Sequence, residues 1–171
     1  MKSIIGTIAL LLSLSVSATA QTPDQHRGQG YLFFAPGVAK SGFGSRAIVH
    51  IGGGGEGLIY KGLGIGAELG DMFPWSNFYD WLAVGSVNMS YHFSPRTKSR
   101  KLEPFVAGGY TLFARHGVSS GSNFGGGVNY WLVERAALRF EVRDTNTVGG
   151  GRPLFGDFDH VISFRIGVTW R

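Results

Sequence analysis

The sequence predicts an all-β protein, a single eight-stranded antiparallel up-and-down transmembrane β-barrel. Three observations carry that expectation. Residues 160–171 read H-V-I-S-F-R-I-G-V-T-W-R, interleaving apolar Ile162, Phe164, Ile166, Val168 and Trp170 with polar or small Ser163, Arg165, Gly167, Thr169 and Arg171. A strand sends successive side chains to opposite faces, and about 9–11 tilted residues cross a bilayer. The composition has 28 glycines, 13% aromatic residues and no cysteine, which suits curved strands around a crowded interior and excludes a disulfide scaffold. The chain opens as an export signal: Lys2, an apolar run over 4–14, and Ala18-Thr19-Ala20 before the cut. The expected organisation is therefore a signal peptide at 1–20 and one barrel domain at 21–171.

The strands follow in order. The first, at 30–38, has no readable facing because Tyr31, Leu32, Phe33 and Phe34 are consecutive. The second, at 46–56, sets Ala47, Val49 and Ile51 against His50, Gly52, Gly54 and Glu56. The third, at 62–70, sets Leu63, Ile65, Ala67 and Leu69 against Gly64, Gly66 and Glu68. The fourth, at 81–93, has Trp81, Ala83, Val87, Met89, Tyr91 and Phe93 outside and Ser86, Asn88, Ser90 and His92 inside. The fifth, at 103–113, turns Val106, Tyr110 and Leu112 outward. The sixth, at 123–132, opposes Phe124, Val128 and Tyr130 to Asn123, Gly125, Gly127 and Asn129. The seventh, at 136–144, opposes Leu138, Phe140 and Val142 to Arg139, Glu141 and Arg143. The eighth is the terminal run already quoted.

In strands two to four and six to eight, the apolar face is expected to carry no charge. A lysine or arginine on the lipid side at mid-bilayer costs about 2–4 kcal/mol, so a lipid-facing wall requires this segregation. Leu138, Phe140, Val142, Ile162, Phe164, Ile166, Val168 and Trp170 are the expected lipid-facing set. A soluble, lipocalin-like carrier of a small apolar ligand would reverse the sense. Glycine-rich inner faces, arginine beside glutamate on them, and aromatics near strand ends favour the membrane orientation.

Connections alternate: short at 57–61 and 133–135, long at 71–80 and 145–159, with 94–101 longer than a tight turn. Short periplasmic turns and longer outer loops place both termini in the periplasm. An internal echo at an offset of 73 residues relates 52–71 to 125–144, with Glu68 and Glu141 in equivalent inward positions.

The stretches G-G-G-G-E-G-L-I-Y-K-G-L-G-I-G-A-E-L-G, P-F-V-A-G-G-Y and G-G-G-V-N-Y-W-L-V-E-R-A-A-L-R-F-E-V-R-D resemble the OmpA/OmpX-like outer-membrane β-barrel family over nearly all of 21–171. The resemblance implies an eight-stranded barrel integral to a bacterial outer membrane and inserted by its assembly machinery. It implies no single activity, since anchors, adhesins and small channels share the fold. The family's last strand usually ends on an aromatic residue; here Trp170 is penultimate and Arg171 last.

The candidate constellations divide sharply. Gly52, Gly54 and Gly57 spell G-x-G-x-x-G, but a strand rather than a helix follows, so the glycines read as relief of inner-face crowding. His160 near Asp157, Asp159 and Ser163 reads as a polar loop end rather than a triad or metal site. No cofactor, metal or catalytic residue is expected. Asn88-Met89-Ser90 matches a glycosylation pattern but faces inward. Glu68, Arg139, Glu141, Arg143 and Arg165 would form a charged lumen, packed as salt bridges or acting as a gate. Phe73, Trp75, Phe78, Tyr79 and Trp81, with Met72, crowd one loop, as a headgroup anchor or a patch for a surface partner.

The formal charge is +5, or +4 without Lys2, and much of it sits on Arg96, Lys98, Arg100 and Lys101. Export points these cations to anionic lipid rather than nucleic acid. The expected function is that of a monomeric, non-enzymatic outer-membrane protein, structural in the envelope or presenting loops. The alternatives are a narrow gated channel with a Glu/Arg lumen and the soluble carrier.

Overall fold

In a computed structural model the described residues are 28–42, 44–93, 101–115, 117–148 and 159–171. They form β1 (Gly28–Ser41), β2 (Gly44–Tyr60), β3 (Leu63–Pro74), β4 (Leu82–His92), β5 (Leu102–Ala114), β6 (Val118–Val133), β7 (Ala136–Val148) and β8 (His160–Trp170). Each strand runs antiparallel to its sequence neighbours, and β8 returns to β1 to close the ring. Closure leaves no sheet edge, which is how a sheet satisfies its backbone in lipid. The signal segment at 1–20, the cations Arg96, Lys98 and Arg100, and Asp157 lie outside the described residues.

The 73-residue echo is visible in the ladders. Gly54 faces Glu68 in the β2–β3 hairpin and Gly127 faces Glu141 in the β6–β7 hairpin. Both ladders shift register at equivalent places, between Leu58 and Tyr60 and between Trp131 and Val133. Lys61 and Gly62, both at positive φ (41° and 90°), make the first of these two turns, as a two-residue hairpin requires.

The alternation sorts the faces. Ile162, Phe164, Ile166 and Val168 are 41–48% exposed on the outside, whereas Arg139, Arg143 and Arg165 are 1–4% exposed inside. That arrangement excludes the soluble-carrier sense. In β1 the unreadable facing resolves as Tyr31, Phe33 and Ala35 inward and Leu32 and Phe34 outward.

Several expectations are corrected. β3 continues to Pro74, so Met72 and Phe73 are strand residues rather than loop, and Met72 is buried inside. β6 begins at Val118 and β7 runs to Val148, both beyond their expected limits. The outer face of β7 is not free of charge at its end: alternation from Leu138, Phe140 and Val142 carries Asp144 outward, where it pairs with His160. The inner face is not uniformly polar either. At the rim opposite the termini, Ala39, Ile48, Met72, Leu82, Val84, Phe113 and Val161 converge into an apolar plug.

Candidate functional site: a filled, charge-bridged lumen

Below the apolar plug lies the charge network. Glu68 comes from β3, Arg139, Glu141 and Arg143 from alternate positions of β7, and Arg165 from β8. The structure brings all five together. Arg143 Nη1 donates to Glu68 Oε2 at 2.7 Å and its Nε to Glu141 Oε1 at 2.5 Å. Arg165 Nη1 donates to the same Glu68 oxygen at 3.0 Å. Arg139 Nε reaches Glu141 Oε2 at 3.2 Å. Tyr31 completes Glu68 by donating its hydroxyl to Oε1 at 2.8 Å.

The guanidinium planes also lie on rings. Arg139 stands 3.9 Å over Phe105 and 4.6 Å over Tyr31, and Arg165 stands 4.2 Å over Phe33. Burial of an ion is tolerated only when partners and hydrogen bonds replace water; these contacts do so for the Arg143 Nε and Nη1 donors, whereas Arg139 Nη1 and Arg165 Nε are buried without a hydrogen-bond partner.

Two glycines make the geometry possible. A Cβ on Gly54 would stand 2.5 Å from Ala67 O, 2.9 Å from Glu68 Cγ and 2.9 Å from the Tyr31 hydroxyl. A Cβ on Gly127 would stand 2.0 Å from Phe140 O. The G-x-G-x-x-G run thus lies within β2, where Gly54 admits the Tyr31–Glu68 contact.

A second network closes the terminus-bearing end. His92 Nε2 lies 3.0 Å from Glu56 Oε1, and its Nδ1 lies 2.7 Å from Glu103 Oε1. Ser90 and Gln29 donate to Glu56. Arg171 Nη2 donates to Glu103 Oε2 at 2.7 Å while its guanidinium lies 3.9 Å over the Trp131 ring. Trp131 Nε1 donates to that same oxygen at 3.1 Å. The residue after the terminal aromatic therefore acts as an inward plug.

The charges nearly balance between layers. Three arginines against two glutamates leave the central group one positive charge. In the lower group Glu56 and Glu103 face Arg171 and the His92 ring, both of whose nitrogens lie against a carboxylate oxygen.

Sequence reading placed Glu56 and His92 inside but did not group them, and it missed Glu103 and Trp131. Parity held the signal: Glu103 alternates opposite Val106 and Tyr110, and Trp131 opposite Tyr130.

The remaining site residues are placed as follows. Leu138, Phe140 and Trp170 are half-buried on the outer face and Val142 is 54% exposed there. Trp75, Phe78 and Tyr79 stand out from the 75–81 loop, Trp81 ends it, and Phe73 on the outside of β3 packs 5.2 Å from Phe78. Asn88 is buried in the lumen, where its side-chain oxygen accepts from Asn123 at 2.9 Å. Ser163 is buried inside while His160 pairs with Asp144 outside at 3.1 Å, so these two neighbours in sequence lie on opposite faces. No group of three potential metal ligands occurs among the described residues.

The crystal structure of Neisserial surface protein A superposes with a TM-score of 0.66 at 15% identity, covering 84% of this chain and 96% of that one. The N-terminal β-barrel domain of Pseudomonas aeruginosa OprF gives 0.59 at 13% identity, over 84% and 96% of the two chains. This chain has the fold of the OmpA/OmpX-like eight-stranded outer-membrane barrels. A de novo designed transmembrane β-barrel gives 0.53 at 17% identity, over 86% of this chain and 98% of the design. No protein-family model and no curated protein matches the sequence. The barrel shape is thus shared with designed and natural proteins alike.

Proposed function

We propose that this protein is a non-enzymatic, integral barrel of the bacterial outer membrane, with periplasmic termini, that stabilises the envelope as a closed, non-conducting scaffold. One observation carries the reading: side chains meet across the lumen at three levels. These are the apolar plug, the Glu68–Arg143–Arg165 centre and the Glu103–Arg171–Trp131 closure. Eight strands enclose just enough room for side chains, so filling them with ion pairs removes a water path. The exposed Trp75, Phe78 and Tyr79 suit seating in the headgroup layer at the outer rim. Insertion by the outer-membrane assembly machinery belongs to the same proposal.

The test combines two measurements on the full chain. The unheated, detergent-extracted protein should run differently from the boiled protein on a gel, and planar bilayers containing it should stay silent. A steady conductance altered by Glu68→Gln or Arg139→Ala would replace this reading with that of a narrow gated channel.

A further inference from the structure

His92 ends β4 with its ring sealed inside the barrel, 1% exposed. Its backbone is pinned on both sides. The His92 N–H donates to Gly62 O at 2.8 Å, and the next N–H, of Phe93, donates to Pro104 O at 3.0 Å. The imidazole stacks on Phe105, with ring centres 5.6 Å apart and planes 27° off parallel. These contacts fix where the two ring nitrogens point.

Both point at acids. Nε2 lies 3.0 Å from Glu56 Oε1 of β2, and Nδ1 lies 2.7 Å from Glu103 Oε1 of β5. A neutral imidazole carries one N–H, and its other nitrogen offers a lone pair. In that form one carboxylate oxygen would face a lone pair at hydrogen-bond distance. A ring protonated on both nitrogens suits the two contacts together, and histidine is ordinarily more basic than glutamate. The remaining groups around the ring fit this charge. Arg171, after β8, engages the second oxygen of Glu103 at 2.7 Å, so two acids meet two cations. Arg139 of β7 lies 3.9 Å over Phe105 and 4.6 Å over Tyr31 of β1. Gln29 and Ser90 donate to Glu56, and Asn129 and Trp131 of β6 donate to Glu103. β3 brings Gly64, whose Cβ would stand 3.3 Å from Glu56 Oε2.

We propose that His92 is a proton-operated latch at the terminus-bearing end of the barrel. Its second proton clips the Glu56 group, which joins β1, β2 and β4, to the Glu103 group, which joins β5, β6 and the chain end. Loss of that proton leaves the ring on Glu56 and releases Glu103, which keeps Arg171 and Trp131. The latch needs only the closed ring, so it stands or falls apart from the scaffold reading.

The test uses the full chain refolded in micelles and labelled with nitrogen-15 at histidine. At about pH 7.5 both His92 ring nitrogens should carry a proton, whereas a free histidine, titrating at about 6.5, is mostly neutral. The native state then holds a proton that the unfolded chain has shed, so stability falls as pH rises. In urea titrations the unfolding constant of the parent should rise by up to about tenfold per pH unit between about pH 7 and 9. His92→Gln should flatten that rise. Contacts to the Phe105 ring assign the His92 signals in the parent, so the decision does not depend on the variant refolding. A singly protonated His92 ring at that pH, a parent stability that holds steady over the range, or a rise unchanged in His92→Gln overturns the latch.

Discussion

Glu68 is the residue on which most of the lumen converges, since it accepts from Arg143, Arg165 and Tyr31 together. Removing one member of a buried ion group leaves its partners uncompensated, at a cost of about 3–5 kcal/mol. Glu68→Ala should therefore destabilise the micelle-refolded barrel by that amount in urea titration, more than Glu141→Ala: each change leaves one arginine without its acid, Arg165 or Arg139, but only the first also strands the Tyr31 hydroxyl. Arg171 makes a smaller, separable contribution through Glu103 and the Trp131 face. Arg171→Ala should cost about 1–3 kcal/mol, the penalty of a buried acceptor losing a charged donor, and the same denaturation curve measures it. The five central residues were legible because parity alone assigns them to the inner face. The pairing of Arg171 with Glu103 was not. These residues sit 68 positions apart, one just after β8 and the other on β5, across the ring. Parity tells which face a side chain takes, whereas strand tilt and stagger decide which heights meet across a barrel.

The two echoed hairpins are one local solution used twice, with a register shift above the turn and a glycine opposite an inward glutamate. Gly54 and Gly127 should therefore fail alike. A leucine at either place drives Cβ against a backbone carbonyl of the neighbouring strand, at 2.5 Å and 2.0 Å respectively. Overpacking of a filled core costs about 1–3 kcal/mol or more. Gly42→Ala is the matched control, since a Cβ there meets nothing within 4 Å. Yield of the heat-modifiable form should fall for Gly54→Leu and Gly127→Leu and stay unchanged for Gly42→Ala. The hairpins were legible because a turn fixes register between strands adjacent in sequence. The β1–β8 seam was not, because no turn joins those strands, and its skipped pairs at Ala35 and Pro36 exist only once the ring has closed.

Across the whole molecule, period two sorted the strands where one face was charged or glycine-rich and gave less guidance where both faces are apolar. Leu82, Ala83 and Val84 run together at the start of β4, and Ile48 and Val49 do so in β2, so the inward plug left no alternating mark. Elsewhere the segregation is sharp enough to test by inversion. Ile166 lies outward in the middle of β8, between Phe34 and Phe140 on the adjacent strands. Beside it in sequence, Arg165 is 4% exposed on the lumen side. An arginine on the lipid face at mid-bilayer costs about 2–4 kcal/mol, falling to about 0–1 near the interface. Ile166→Arg should thus destabilise the barrel folded in phosphatidylcholine vesicles by about 2–4 kcal/mol, while Tyr79→Arg in the 75–81 loop should be nearly neutral. Urea titration in vesicles of each variant measures both. Equal effects at the two positions would mean that the apolar belt is not in hydrocarbon, because only a bilayer makes one added charge costly at the middle of the wall and tolerable at its rim.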